Sequence, residues 1–249
     1  MKDYYHYKGR KHTYTYILLI LTIVMVGASI YRIMFLINKY KEAPQKTLSK
    51  NEVALEIINI ENKDTSNLIL VNKENILEED YVPENLIQLK TDFISNGDLK
   101  VNVLTAEAAE ALEKLFKAAS EDKIYLLGVS GYRAFDYQKQ LFESEVEVFG
   151  NIQANRYVAK PGESEHQTGL AMDILSRDYE ILDEGFKNTK AYKWLEENCS
   201  NFGFIIRYPE NKEEITGYEY EPWHIRYVGV NVAKEIMKEN ITLEDYLGK

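Results

Sequence analysis

Two short stretches of alternating apolar and polar residues in the second half of the chain predict a pair of β-strands. One covers Gly169–Ile174 and the other covers Trp223–Val228. In each stretch every second side chain points to the same face, and Asp173 and His224 lie opposite the apolar positions. If the two strands are neighbours, Asp173 and His224 therefore converge on one face of one sheet.

Helical spacing and turn residues predict the other elements. Apolar residues recur at three- and four-residue intervals in several stretches, and Thr or Gly marks many of their ends. We expect helices from Thr105 to Ala119, after Arg133 up to Gly150, from Thr189 to Phe202, and through Val232, Ile236 and Met237. We also expect strands at Ile124–Val129 and Phe204–Tyr208 and a polar loop at Asn151–Glu165. Cys199 lies on the apolar side of its helix, so we expect it in the core.

The N-terminal region has a different character. Residues 12–31 contain no Asp, Glu, Lys or Arg, and the apolar run that continues to residue 37 is long enough to cross a bilayer as a helix. Small residues at Val26–Ser29 leave a cleaved signal peptide as the alternative. We expect a cytoplasmic tail at residues 1–11, a transmembrane signal anchor at 12–37, a stalk at 38–67 and a folded domain at 68–249.

Charge is distributed unevenly along the chain, which has a formal net charge of −10. Residues 1–41 carry seven Lys and Arg against one Asp, which leaves 23 basic and 39 acidic residues, a net charge of −16, for the rest. An acidic domain of this kind is unsuited to nucleic acid. The single Cys cannot form an internal disulfide, and the sequence carries no signal of oligomeric state.

The clearest candidates for chemistry lie in two short motifs. The chain has four His, and the two outside the N-terminal tail fall one in each motif. A catalytic zinc takes three protein ligands and keeps one position open, and His166, Asp173 and His224 supply three such groups. Glu221 remains as a base for water, and Pro222 disfavours a helix there, so the site is expected on strands and loops. For any one residue, a structural His–Asp pair is the simpler alternative.

Three motifs occur together in the second half of the chain. They are Ser130–Arg133, the pattern Ser-x-His-x-x-Gly-x-Ala-x-Asp at Ser164–Asp173, and the Glu-x-Trp-His block at Glu221–His224. In type and order they resemble the VanY-type D-alanyl-D-alanine carboxypeptidases, zinc peptidases that trim bacterial peptidoglycan. The resemblance runs from about Leu68 to the C-terminus. It implies an α+β fold in which a small antiparallel sheet carries the zinc site and helices flank it.

The resemblance also assigns roles to single residues. The three metal ligands named above are implied as ligands of Zn²⁺. Glu221 is implied as the catalytic base, and Arg133 as the group that stabilises the oxyanion of the tetrahedral intermediate. Ser164, Gln138 and Ser130 are implied as substrate-binding residues, with a packing role for Gln138 and a loop-shaping role for Ser164 as the alternatives.

The implied function is removal of the C-terminal D-Ala from peptidoglycan stem peptides. The domain is then expected outside a Gram-positive-type cell, held to the cell membrane by the N-terminal helix. Three alternatives stay open: an L,D-carboxypeptidase that acts on tetrapeptide stems, a peptidoglycan endopeptidase, and a catalytically silent wall-binding ectodomain. A silent module would tolerate loss of Glu221 or of a ligand, and this chain retains all four positions.

Overall fold

Six β-strands form two antiparallel sheets in this computed structural model, which describes residues 66–94 and 101–248. The strands are β1 Leu86–Gln88, β2 Val103–Thr105, β3 Leu126–Ser130, β4 Ala171–Ser176, β5 Phe204–Tyr208 and β6 Glu221–Tyr227. β1 pairs with β2, and the other four strands form one sheet in the order β3-β4-β6-β5. All of these pairs are antiparallel, which confirms the predicted small antiparallel sheet.

Helices flank the sheets and complete the α+β architecture. In the described part of the chain the α-helices are α1 Ala106–Glu121, α2 Phe135–Phe149, α3 Asn151–Tyr157, α4 Lys190–Asn198, α5 Glu213–Thr216, α6 Val230–Glu239 and α7 Leu243–Leu247. Short 3-10 helices cover Glu165–Thr168, Glu184–Asn188 and Cys199–Phe202. The first of these leads directly into β4.

The predicted N-terminal regions lie outside the described residues. These are the tail at residues 1–11, the transmembrane segment at 12–37 and all but the last two residues of the stalk at 38–67. Across 66–94 and 101–248, no helix combines the length and the apolar character that a bilayer crossing requires.

The main hydrophobic core lies between α1 and one face of the four-stranded sheet. Leu112 and Leu115 of α1 are fully buried, and they belong to the same cluster as Met172 and Ile174 of β4. Each fully buried side chain of this size stabilises the fold by about 1.5–3 kcal/mol relative to an exposed one. The spacing that predicted α1 is therefore the spacing of its core face.

A smaller core covers the opposite face of the sheet. Ile205 of β5 belongs to it, together with Ile236 of α6 and Leu243 of α7. Phe204 and Ile206, on either side of Ile205, belong to the main core instead. Neighbouring residues of a strand point to opposite faces, so both faces of the sheet are covered. This is why every residue of β4 and β5 is buried.

The stretch predicted as a polar loop at Asn151–Glu165 begins with a helix, α3. Gly150 separates α3 from α2 and has a φ of 79°, in the left-handed region that suits glycine. Of the residues of α3, Ala154 is the one that is buried. A helix with so little core contact lacks the apolar periodicity from which helices are predicted, which explains the error.

Helix ends follow the predicted signals with one exception. The Thr189 side chain accepts a hydrogen bond from the backbone N–H of Tyr192 at the start of α4. The turn that follows α4 ends at Gly203, whose φ is 85°. Thr105 immediately precedes α1, but its side chain makes no capping hydrogen bond.

Burial of Cys199 leads to a prediction about its reactivity. The side chain is fully buried, and burial raises the pKa of its thiol to about 12. Because the thiolate is the reactive form, we expect iodoacetamide to leave the folded protein unmodified at mildly alkaline pH and to modify it fully after unfolding. Intact-protein mass spectrometry measures both states. Lys114→Cys, at an exposed position of α1, is the positive control, and rapid alkylation of native Cys199 would contradict the buried placement.

Candidate metal centre and catalytic cleft

The register of β4 and β6 brings the predicted metal ligands together. Asp173 pairs directly with His224 across the two strands, and His166 comes from the 3-10 helix Glu165–Thr168 just before β4. All three side chains are buried, and their ligand atoms lie within 4.8 Å of one another. The predicted convergence of Asp173 and His224 from neighbouring strands is therefore confirmed.

Glu221 lies on a strand, whereas β6 was predicted to begin only at residue 223. It is the first residue of β6, and it pairs with Tyr208 of β5. The prediction stopped short because Pro222 has no N–H for a strand ladder. Here the β5–β6 register is irregular between Ile206 and Tyr208, and proline is tolerated where a ladder is interrupted in this way.

The ring of His166 is fixed by a backbone carbonyl. Its Nδ1 lies 2.7 Å from the carbonyl oxygen of Gly131, so we assign the N–H to Nδ1. Nε2 then carries the lone pair, and it lies 3.3 Å from Oδ2 of Asp173. Burial, together with the positive charge of Arg133, lowers the pKa of His166 to about 4. The ring is therefore neutral at neutral pH, which is the form that binds a metal.

The ring of His224 lies among carboxylates. Its Nδ1 is 3.0 Å from Oδ1 of Asp173 and 3.7 Å from Oε2 of Glu221, and its Nε2 is 3.6 Å from Oε2 of Glu165. Burial disfavours charge on the ring, but the neighbouring carboxylates of Asp173 and Glu165 outweigh this effect and raise the pKa of His224 to about 9. A metal cation at this cluster would replace the proton on Nδ1, as binding to a protonated ligand requires.

The three side chains fit a zinc ion by chemistry and by spacing. Two imidazole nitrogens and one carboxylate form a ligand set of the kind found at catalytic zinc sites, which leave one position open. Zinc binds such atoms at about 2.0–2.2 Å, which places tetrahedral ligand atoms about 3.3–3.6 Å apart. Oδ2 of Asp173 lies 3.3 Å from His166 and Oδ1 lies 3.0 Å from His224, close to that range, and the ligand atoms of the three residues all lie within 4.8 Å of one another.

Glu221 stands beside this cluster with a perturbed carboxyl group. Its side chain is largely buried at the edge of the cleft, and burial raises its pKa to about 8 although the positive charge of His224 acts in the opposite direction. A dication held by the neighbouring ligands would favour the carboxylate form. A buried carboxylate beside a metal site is suited to accept a proton from a bound water and return it.

Arg133 follows β3 and reaches the same cluster. Its Nη1 lies 3.6 Å from Oδ2 of Asp173 and donates to Oγ of Ser130 at 3.0 Å. Its Nε donates to Oε1 of Gln138 at 2.9 Å, and Nε2 of Gln138 donates to the carbonyl of Ala159 at 2.7 Å. Gln138 is fully buried. Both Ser130 and Gln138 therefore hold the guanidinium in place, and the substrate contacts that the resemblance implied for them stay a prediction.

Ser164 lies on the wall of the cleft beside the candidate ligands, and its contact with substrate stays a prediction. Its Oγ also accepts a long hydrogen bond of 3.4 Å from the backbone N–H of His166. The cleft holds about 210 Å³, less than the about 300–1,000 Å³ of pockets for larger ligands, so it suits the end of a peptide. The apolar and aromatic side chains that line it are Leu141, Tyr157, Val158, Ala159, Leu182, Tyr208, Tyr218 and Trp223.

Sequence reasoning missed Glu165, which is buried behind His224. Its carboxylate lies 3.6 Å from Nε2 of His224 and binds Arg207 and Arg226. In the sequence it is one of 40 acidic residues, and its partners on β5 and β6 follow it at a distance of 42 and 61 positions. Its place between the motif residues Ser164 and His166 was the one available signal.

Comparison with known protein families shows to which family the chain belongs. A family model described as D-alanyl-D-alanine carboxypeptidase, VanY, matches residues 101–230. The chain belongs to the VanY family. The matched range includes every residue of the cluster, from Arg133 to His224, so the family relationship covers the site itself.

Individual relatives agree with the family. The Bacillus subtilis protein YodJ is 48% identical to this chain over 73% of the chain and 67% of YodJ. A solved LdcB LD-carboxypeptidase is 48% identical with a TM-score of 0.69 and covers 74% of this chain and 87% of its own. A mutant of the vancomycin-resistance D,D-pentapeptidase VanY, solved with Zn(II), is 37% identical with a TM-score of 0.62 over 73% and 99% of the two chains.

Removal of one ligand is predicted to abolish metal retention. Asp173→Asn takes away the single anionic ligand while it preserves the size of the side chain, so we expect the variant to lose zinc during dialysis that leaves the wild type loaded. Atomic emission spectroscopy measures the zinc content. Asp92→Asn is the control, because Asp92 is an exposed carboxylate paired with Arg177. Full retention of zinc by Asp173→Asn would remove Asp173 from the ligand set.

Proposed function

We propose that the chain is a zinc-dependent peptidoglycan carboxypeptidase that removes the C-terminal D-Ala from cell-wall stem peptides. The observation that carries the proposal is the convergence of the His166–Asp173–His224 cluster, Glu221 and Arg133 in one small cleft. Membership of the VanY family, and the zinc ion in the solved VanY relative, favour the same chemistry.

The polar groups described above have the following roles in the proposed reaction. Bound zinc would supply a Lewis acid and a water of lowered pKa. Glu221 takes a proton from the attacking water and passes it to the leaving amine. Arg133, held by Ser130 and Gln138, donates hydrogen bonds to the oxygen that becomes negative in the transition state. Ser164 is positioned to bind the terminal carboxylate that an exopeptidase must recognise.

An L,D-carboxypeptidase is the second candidate. The solved LdcB LD-carboxypeptidase has higher identity and a higher TM-score to this chain than the solved D,D-pentapeptidase VanY. The two activities use the same hydrolytic groups and differ in the stem peptide that the cleft accepts. Peptides that end like the two kinds of stem therefore distinguish the two activities.

Product analysis of two peptides tests the proposed function. The zinc-loaded, full-length protein is incubated with a stem pentapeptide ending in D-Ala-D-Ala and with a tetrapeptide ending in a single D-Ala, and mass spectrometry detects released D-Ala. Release from the pentapeptide establishes the D,D activity, and release from the tetrapeptide establishes the L,D activity. If zinc is bound and neither peptide is cut, the exopeptidase proposal fails.

Loss of the base is predicted to separate catalysis from metal binding. Glu221→Gln keeps the shape of the side chain but cannot accept a proton, so we expect turnover to fall by about 100- to 10,000-fold with zinc content unchanged. The measurements are peptide turnover and zinc stoichiometry. Glu219→Gln makes the same charge change at a residue paired with Arg156 and should retain activity. Zinc loss in Glu221→Gln would show instead that Glu221 serves the metal.

We propose that residues 12–37 form a signal anchor that places the domain of residues 68–249 outside the cell membrane, beyond a stalk at 38–67. The proposal is supported by the uncharged stretch at residues 12–31 and by the location of peptidoglycan outside the membrane. Accessibility of the domain to protease added to intact cells tests it. Protection of the domain in such cells would contradict it.

A further inference from the structure

A cluster of buried charges lies behind His224, away from the lining of the catalytic cleft. Its members are Glu165, Arg207, Arg226 and Glu244, and all four side chains are at least nine-tenths buried. Two carboxylates face two guanidiniums, so the formal charges of the cluster cancel. An ionic cluster of this kind is weak evidence for stability, since apolar residues of similar volume often stabilise a fold equally well. Its position beside a candidate metal ligand indicates a role other than stabilising the fold.

Glu165 uses its two oxygens differently. Oε1 accepts hydrogen bonds from Nε of Arg207 at 2.7 Å and from Nη1 of Arg226 at 2.6 Å. Oε2 lies 3.6 Å from Nε2 of His224. Within the described part of the chain, neither Oε2 of Glu165 nor Nε2 of His224 has a hydrogen bond inside 3.5 Å. The two buried atoms are therefore each other's available partner.

This pairing would decide which nitrogen of His224 binds the metal. A neutral imidazole carries one N–H, and an acceptor at one ring nitrogen directs the lone pair to the other. With the N–H on Nε2 facing Glu165, the lone pair lies on Nδ1, the nitrogen that is 3.0 Å from the ligand Asp173. Carboxylates that accept from a metal-binding imidazole in this way orient the ring and increase its basicity.

We propose that Glu165 is a positioning residue for the metal ligand His224, held in place by Arg207 and Arg226. It accepts the Nε2–H of His224, fixes the tautomer and orients Nδ1 toward the metal. The inference rests on the metal centre of the proposed function, and it adds a residue and a ring nitrogen that the ligand set alone does not specify.

The cluster also ties the two ends of the described domain to the metal centre. Arg207 binds both carboxylate oxygens of Glu244 in α7, at 2.9 Å and 2.6 Å. Nδ2 of Asn72 donates to Glu244 at 3.1 Å, and Nη2 of Arg226 donates to the carbonyls of residues 67 and 69. The arginines that bind the carboxylate of Glu165 are therefore held in turn by contacts with several elements, as a positioning role requires.

Two substitutions at Glu165 test the proposal in the full-length protein. Glu165→Gln keeps the size and removes the charge, while Glu165→Asp keeps the charge that faces Arg207 and Arg226 but is too short to reach His224 as well. Glu163→Gln is the control, because Glu163 is a buried carboxylate in the same segment that pairs with Lys160. The measurements are the zinc dissociation constant by chelator competition, the absorption spectrum of the Co(II)-substituted protein, and thermal unfolding.

We expect both Glu165 variants to bind zinc about 10- to 100-fold more weakly and to change the Co(II) spectrum, with Glu163→Gln unchanged in both. A folded Glu165→Asp or Glu165→Gln protein with a zinc dissociation constant within twofold of wild type and the wild-type Co(II) spectrum overturns the proposal. A wild-type protein that binds no metal overturns the proposed function together with it.

A measurement on the wild type covers the case in which a variant does not fold. Long-range ¹H–¹⁵N correlation in the zinc-loaded protein shows which nitrogen of each imidazole carries a proton. The proposal requires His224 to carry it on Nε2 and His166 on Nδ1. A His224 ring protonated on Nδ1, with zinc bound through Nε2, overturns the proposal whatever the variants show.

Discussion

The pairing of Asp173 with His224 across β4 and β6 is the constraint on which the site depends. The strand register places the two residues directly opposite each other, and their side-chain atoms then approach to 3.0 Å. A slip of one residue in either strand would turn one of the pair to the opposite, apolar face of the sheet. The register that buries Met172 and Ile174 in the core is thus the register that assembles the ligands.

Polar groups on the face of this sheet opposite the main core need hydrogen-bonding or ionic partners within the protein. Asp173, His224, Arg207 and Arg226 are all buried, and an uncompensated charge there would cost several kcal/mol. Guanidiniums pair with carboxylates, an imidazole contacts a backbone carbonyl, and Arg133 donates a hydrogen bond to the amide oxygen of Gln138. Two of the candidate metal ligands and the two buried arginines consequently lie on the same face of one sheet.

The ligand residues and their strands could be predicted because each signal was local: two-residue alternation gave the strands, and motif spacing gave His166, Asp173 and His224. Glu165 could not be predicted in this way, because its partners are 42 and 61 positions away and only the folded sheet brings them close. The contacts of the Gln138 amide with Arg133 and Ala159 could not be predicted either, because helical spacing does not describe the direction of a side-chain amide. The helix α3 was missed because it buries almost nothing.

The contact of Asn72 with Glu244 brings the beginning and the end of the described domain side by side. None of the cleft-lining residues comes from the described segment 66–94. The first described segment therefore contributes contacts to the buried charged cluster and no side chain to the lining of the cleft. A domain with adjacent termini is also a natural candidate for circular permutation, in which a cut in an exposed loop would leave the sheet and its ligands on one continuous segment.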